Sequence, residues 1–141
     1  MDVTKGLVVD SSVLVTAERG NLTTPEVIRL LREAGGDVPI IISALTVAEL
    51  GHGVYHAADK AKSKHRRRFL DDLKQHVLVH PITGATAEIV ARIGGEQAAR
   101  EITVPFGDLI IGACALELDF AVATHNLRHF RLIPGLEVRQ F

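Results

Sequence analysis

The chain has 141 residues and a formal net charge of −1, with a pI near 6.6, so bulk charge does not mark it as a nucleic-acid binder. With 47% apolar and 23% charged residues it can bury a core without disulfides or structural metal, and its length suggests one domain spanning residues 1–141. No apolar run reaches the ~18 residues of a membrane span, and "MDVTKGLVVD" lacks the basic flank and cleavage site of a signal peptide, so a cytoplasmic chain with no membrane partner is expected.

"GLVVDSS" is a short apolar run ending in polar residues, which reads as a buried strand closed by Asp10. In "TTPEVIRLLREAGG" a helix is expected, with Thr24 as N-cap, Pro25 at the first helical position and Gly35–Gly36 as the stop. Its apolar face is read as Val27, Leu30, Leu31 and Ala34. "VPIIISA" reads as a second buried strand and "LTVAELGHGVYHAA" as the helix after it. Residues 60–75 form a basic amphipathic helix, "HVLVHPI" a third strand, and "TGATAEIVARI" a helix that should yield near Gly94 and Gly95. "FGDLIIGACALEL" follows as a buried helix, "FAVATHN" as a fourth strand and "LEVRQF" as a fifth, at the sheet edge. Cys114, the single cysteine, lies among small apolar residues of the buried helix and reads as core, in keeping with a reducing cytosol.

Strands alternating with helices predict an α/β fold with a parallel sheet covered on both faces. Ligands of such sheets bind in the crevice beyond the carboxyl ends of the strands. Three acids belong to segments that lead there. Asp10 ends the first strand, Glu49 is read in the first turn of the helix after the second, and Asp108 sits in the first turn of the buried helix. Each also has a local explanation: Asp10 as an N-cap, Glu49 as the partner of Thr46 in a capping box, Asp108 as a charge favoured by the helix dipole. Taken together they form a set of oxygen ligands whose mutual repulsion a hard cation would relieve, and such a site suits phosphodiester hydrolysis.

The segments "VVDSSVLV", "ALTVAEL", "PFGDLIIGACALE", "VATHNLRHF" and "IPGLEV", in that order through almost the whole chain, resemble a PIN-domain protein, and more narrowly a VapC-type toxin of a toxin–antitoxin pair. The resemblance implies a three-layer α/β/α sandwich with a central, mostly parallel sheet of four to five strands. It further implies a Mg²⁺-dependent endoribonuclease, with Mn²⁺ as substitute, acting on an RNA substrate. The partner would be a VapB-type antitoxin, and the toxin would form a homodimer or a higher toxin–antitoxin assembly. The family's acids fall on Asp10, Glu49 and Asp108, as catalytic and metal-binding residues. Ser12 and Thr124 would support them by hydrogen bonds, and Asn126 would orient a metal-bound water or else form an Asx-turn. One departure stands out: two residues after "NL", where the family often carries a further acid, this chain has His129. Asp119 might be thought to replace that acid, but its place in "LELDFAV" suits a turn.

Other features point elsewhere. His52 and His56 have a zinc-like i, i+4 spacing without the HExxH order or a fourth ligand. Gly51 and Gly53, beside them, suit close approach of another backbone or of substrate. "KAKSKHRRR" (60–68) gathers six of the sixteen basic residues, either to track RNA phosphates, to meet an acidic partner or simply as a solvated helix face. With no Trp and one Tyr, a base-stacking platform is not expected. Rival readings are a non-catalytic binding module, a metal-dependent DNA nuclease and a phosphoryl-receiver domain. The last needs a lysine near the C-terminal end of the sheet, and none follows Lys74.

Overall fold

The computed structural model describes residues 4–141. Five short strands form one sheet: β1 (Leu7–Val9), β2 (Ile40–Ser43), β3 (Leu78–His80), β4 (Ala121–Thr124) and β5 (Val138–Gln140). All four pairings are parallel, in the order β3-β2-β1-β4-β5, so β5 is an edge strand as expected. The helices are α1 (Ser11–Arg19), α2 (Thr24–Gly35), α3 (Ala44–Tyr55), α4 (Lys60–His76), α5 (Gly84–Ala99), α6 (Phe106–Leu118) and α7 (Leu127–Phe130). None is long and apolar enough to cross a membrane, among the described residues.

The period of two in β1 divides the core. Leu7 and Val9 pack with Val13, Leu14 and Ala17 of α1, Val27, Ile28 and Leu31 of α2, and Phe69 and Leu73 of α4. Val8 points the other way, to Ile93 of α5, Leu109, Ile111 and Cys114 of α6, and Phe130 of α7. The result is the three-layer α/β/α sandwich. Cys114 is buried, and burial foremost, with Glu117 nearby, pushes its thiol up to about 12, which keeps it an inert core residue. Phe130 is fully buried and fixes the short α7 to this second core. We expect Phe130→Ala to lower stability by ~3–5 kcal/mol in urea denaturation.

Four local expectations are corrected. The N-cap of α2 is Thr23, which forms a reciprocal capping box with Glu26, and Thr24 is already helical and buried. The buried face of that helix is Thr24, Val27, Ile28 and Leu31; Leu30 and Ala34 are exposed, because the helix docks one position off the stripe read from the sequence. In α3 the cap is Ser43, whose hydroxyl accepts from the Leu45 amide, so Thr46 is interior and Glu49 lies in the second turn, outside any capping box. And α5 runs through Gly94 and Gly95 to Ala99. A Cβ on Gly94 would stand 2.9 Å from Leu109 Cδ2, so that glycine lets α5 and α6 approach, and packing outweighs the ~1 kcal/mol helix penalty. Asp119 is at a turn, as expected: it ends α6 in the left-handed conformation and pairs with Lys5 at 2.8 Å.

This topology fixes where a site can form. From central β1 the chain leaves towards β2, whereas from its neighbour β4 it leaves towards β5. The two connections diverge and open a crevice beyond Val9 and Thr124.

Candidate active site

Asp10 is the first residue past β1 and is only 2% exposed. It occupies the N-cap position of α1, yet its carboxylate makes no capping bond. Instead Oδ2 accepts two hydroxyl hydrogen bonds, from Ser12 at 2.7 Å and from Thr124, at the end of β4, at 2.8 Å. Both hydroxyls are themselves held: the His125 amide donates to Ser12 at 3.2 Å and the Asn126 amide to Thr124 at 2.8 Å. Ser12 and Thr124 thus support Asp10 as expected. Asn126 contributes its backbone, and its side chain neither caps α7 nor closes an Asx-turn.

Asp108 comes from the first turn of α6, where Pro105 at the N-cap leaves the end without a side-chain cap. Its Oδ2 lies 2.9 Å from His129 Nδ1, so the residue standing in place of an acid makes direct contact with the site. Beside an ionised Asp108, His129 donates from Nδ1, with Nε2 as the second ring position. Burial foremost pushes the Asp108 carboxyl up; His129 opposes this by its hydrogen bond, and Asp10 adds repulsion.

Glu49 projects from α3, and its carboxyl is likewise pushed up, first by burial and then by Asp10, with Ser11 opposing and Asp108 adding a smaller push. Asp10 thus acts on both of the other acids, and Asp108 on Glu49: three chain-distant carboxylates share one electrostatic environment.

This donor set fits a hard cation. Among the described residues no three His, Cys, Asp or Glu side chains gather into a complete cage. Mg²⁺ does not need one, since it is usually held by one or two carboxylates with water and substrate phosphate completing an octahedron. In such an arrangement the fixed Asp10 and the first-turn Asp108 could serve as direct ligands, and Glu49 could ligate or orient water.

The chain matches the family model described as PIN domain over residues 7–136. It belongs to the PIN-domain family. Among curated relatives, this PIN chain is 27% identical over 133 residues to "Ribonuclease VapC" of Rickettsia bellii, covering 94% of each chain. Its fold matches a chain of VapBC2 from Rickettsia felis bound to a promoter DNA fragment, with a TM-score of 0.81 at 18% identity, covering 96% of this chain and 98% of that one. It also matches VapBC-5 from Mycobacterium tuberculosis, a member of the VapBC family of toxin–antitoxin systems, with a TM-score of 0.71 at 22% identity, covering 97% and 98%.

Of the remaining features, Gly53 and Arg66 line a pocket with Glu49 and Glu18. His52 of α3 and His56 at its C-cap are exposed with ring centroids 5.6 Å apart and gather no third ligand among the described residues. Gly51 and Gly53 are not pressed by any neighbour: a Cβ on Gly51 would be in ordinary contact with Leu70, and one on Gly53 would meet nothing within 4 Å. The basic helix α4 is partly paired with acids, through Arg66, Arg67, Lys74 and His65. Glu18 pairs with His65 at 2.7 Å and Arg66 at 3.3 Å, and Asp71 with Arg67 at 3.5 Å and Lys74 at 4.0 Å.

Proposed function

We propose that this PIN domain is a metal-dependent endoribonuclease that hydrolyses RNA phosphodiester bonds and is restrained by a small VapB-type antitoxin. The observation that carries the reading is the meeting of Asp10, pinned by Ser12 and Thr124, with Asp108 and Glu49, both of which feel the Asp10 charge, at the mouth of the β1–β4 crevice. The ribonuclease name of the Rickettsia bellii relative and the toxin–antitoxin assignment of the Mycobacterium tuberculosis neighbour support the choice of substrate and partner.

Asp10 and Asp108 hold the cation, Mg²⁺ or in its place Mn²⁺. The metal supplies Lewis-acid polarisation of the phosphoryl group and activation of the attacking water. The protein's own share is positional. Ser12 and Thr124 pin one Asp10 oxygen, so the carboxylate need not reorganise when substrate arrives. Glu49, whose carboxyl partial desolvation and the Asp10 charge hold above the usual range, is suited to accept a proton from the water and return it. An antitoxin arginine placed among the three acids would satisfy their charge and block the site, since guanidinium pairs with carboxylate in a bidentate fork. A toxin homodimer, alone or within a larger complex with antitoxin, is the assembly we propose.

Metal removal tests the reading. After EDTA treatment we expect no cleavage of a fluorescent single-stranded oligoribonucleotide, recovery on adding Mg²⁺ or Mn²⁺, and little cleavage of the matching DNA. Equal DNA cleavage would make the protein a general nuclease. Absence of cleavage with either metal, in protein freed of antitoxin, would leave a binding module.

A further inference from the structure

The cations most obvious in the sequence lie on α4, but the grooves they line also hold Glu18, Asp71 or Asp72. A different pocket, between α7 and the end of β5, has the opposite character. Its walls include His125, Asn126, Arg128, His129, Arg131 and Gln140, and no carboxylate lines it. Arg128 and Arg131 are exposed, and neither forms a salt bridge among the described residues. Two guanidiniums near one another without counter-charge repel, and an anion relieves the strain.

This pocket adjoins the acid site through its own wall. His129 lines the pocket and contacts Asp108 at 2.9 Å. The backbone amides of His125 and Asn126 hold the two hydroxyls that fix Asp10. A chain of phosphates with one group at Asp10 and Asp108 therefore has an adjacent binding position lined by cations and the side-chain amides of Asn126 and Gln140.

We propose that the α7–β5 pocket is an RNA subsite, in which Arg128 and Arg131 hold backbone phosphate next to the one being cleaved. The inference rests on the ribonuclease reading above. Acids that hold a metal repel the rest of a polyanionic substrate, and two arginines beside them offset that repulsion. The wall holds no Phe, Tyr or Trp, and its two guanidiniums suit phosphate, so the contact is to the backbone rather than to a base edge.

The test measures binding of a short single-stranded oligoribonucleotide to full-length protein across a salt series, in the cleavage-deficient Asp10→Asn background with Mg²⁺ present. The comparison adds either Arg128→Gln with Arg131→Gln or, as control, Lys62→Gln with Lys64→Gln on α4. Folding of each is checked by circular dichroism, and the single arginine variants stand in if the double variant fails to fold. Each lost phosphate contact should flatten the slope of log K against log salt by ~0.7. We expect the arginine variants to bind at least tenfold more weakly at low salt with a flatter slope, and the lysine variants to keep both. With Asp10 restored, the arginine variants should raise KM far more than they lower kcat.

RNA binding with unchanged affinity and slope in the arginine variants would overturn the subsite and leave the nuclease reading standing. Loss of antitoxin affinity without loss of RNA affinity would overturn it in favour of a protein-binding surface. If the parent protein, active site intact, neither bound nor cleaved RNA, the ribonuclease reading itself would fall, and the subsite with it.

Discussion

Replacing Asp10 or Asp108 by asparagine is expected to lower RNA cleavage at least about a thousandfold while leaving the protein folded. The amide is nearly isosteric with the carboxylate. In Asp10→Asn its oxygen can still accept from Ser12 and Thr124, so the link between β1 and β4 survives. In Asp108→Asn the oxygen can still face His129. What is lost is the negative charge that holds the cation, and metal stabilisation of a phosphoryl transition state amounts to several kcal/mol, with each ~1.4 kcal/mol worth a factor of ten in rate. The measurement is multiple-turnover cleavage at saturating Mg²⁺, paired with urea denaturation of each variant. Wild-type rates in either would remove that residue from the metal site. Lost activity together with a collapsed urea midpoint would mark it as structural.

Glu49→Gln is expected to act in the opposite sense on stability. In metal-free protein at neutral pH it should raise the melting temperature by a small but measurable margin. Burial and the charges of Asp10 and Asp108 push the Glu49 carboxyl up, and burial and Asp10 do the same to Asp108. Folded protein therefore holds protons that the unfolded chain has released, and metal-free stability must fall as pH rises from ~4, the unfolded carboxylate value, through the raised folded values. Below that window Glu49 is protonated in both states, and the advantage of the glutamine variant should vanish. Saturating Mg²⁺ should narrow it at neutral pH, because a cation that binds only folded protein offsets the repulsion. Calorimetric melts from pH 4 to 8, with and without metal, give the answer. A variant less stable than wild type at pH 7 would mean that the Ser11 contact outweighs the repulsion.

Both expectations rest on residues that the sequence singled out for uneven reasons. Asp10 is legible because it follows a strand and Asp108 because it opens a helix, positions that a parallel sheet collects at one edge, whereas Glu49 sits a turn deeper in α3 than its spacing suggests. Ser12 is legible from its spacing to Asp10, and Thr124 from its place at the end of a strand. The partner of His129 is not, because Asp108 is 21 positions away and only the packing of α7 on α6 joins them. Local choices between near-equivalents were also hidden. In "TTP" either threonine can cap, and Glu26 decides for Thr23 through its reciprocal bond. Gly94 reads as a stop until Leu109 is seen against it. The basic tract misleads for a related reason: Glu18, which pairs with His65, lies 47 residues before it, so its charge seems unopposed in the linear chain. Arg128 and Arg131 attract no notice there because their pocket is closed by β5.

The order of the strands also bears on biosynthesis. On one side β1 pairs with β4, and the Thr124 hydroxyl that fixes Asp10 lies 114 residues further on. A nascent chain therefore carries Asp10 for most of that interval without the means to position it. Hydrolytic competence should arise only once β4 has been made and docked beside β1. Fragments ending ahead of β4 should lack it.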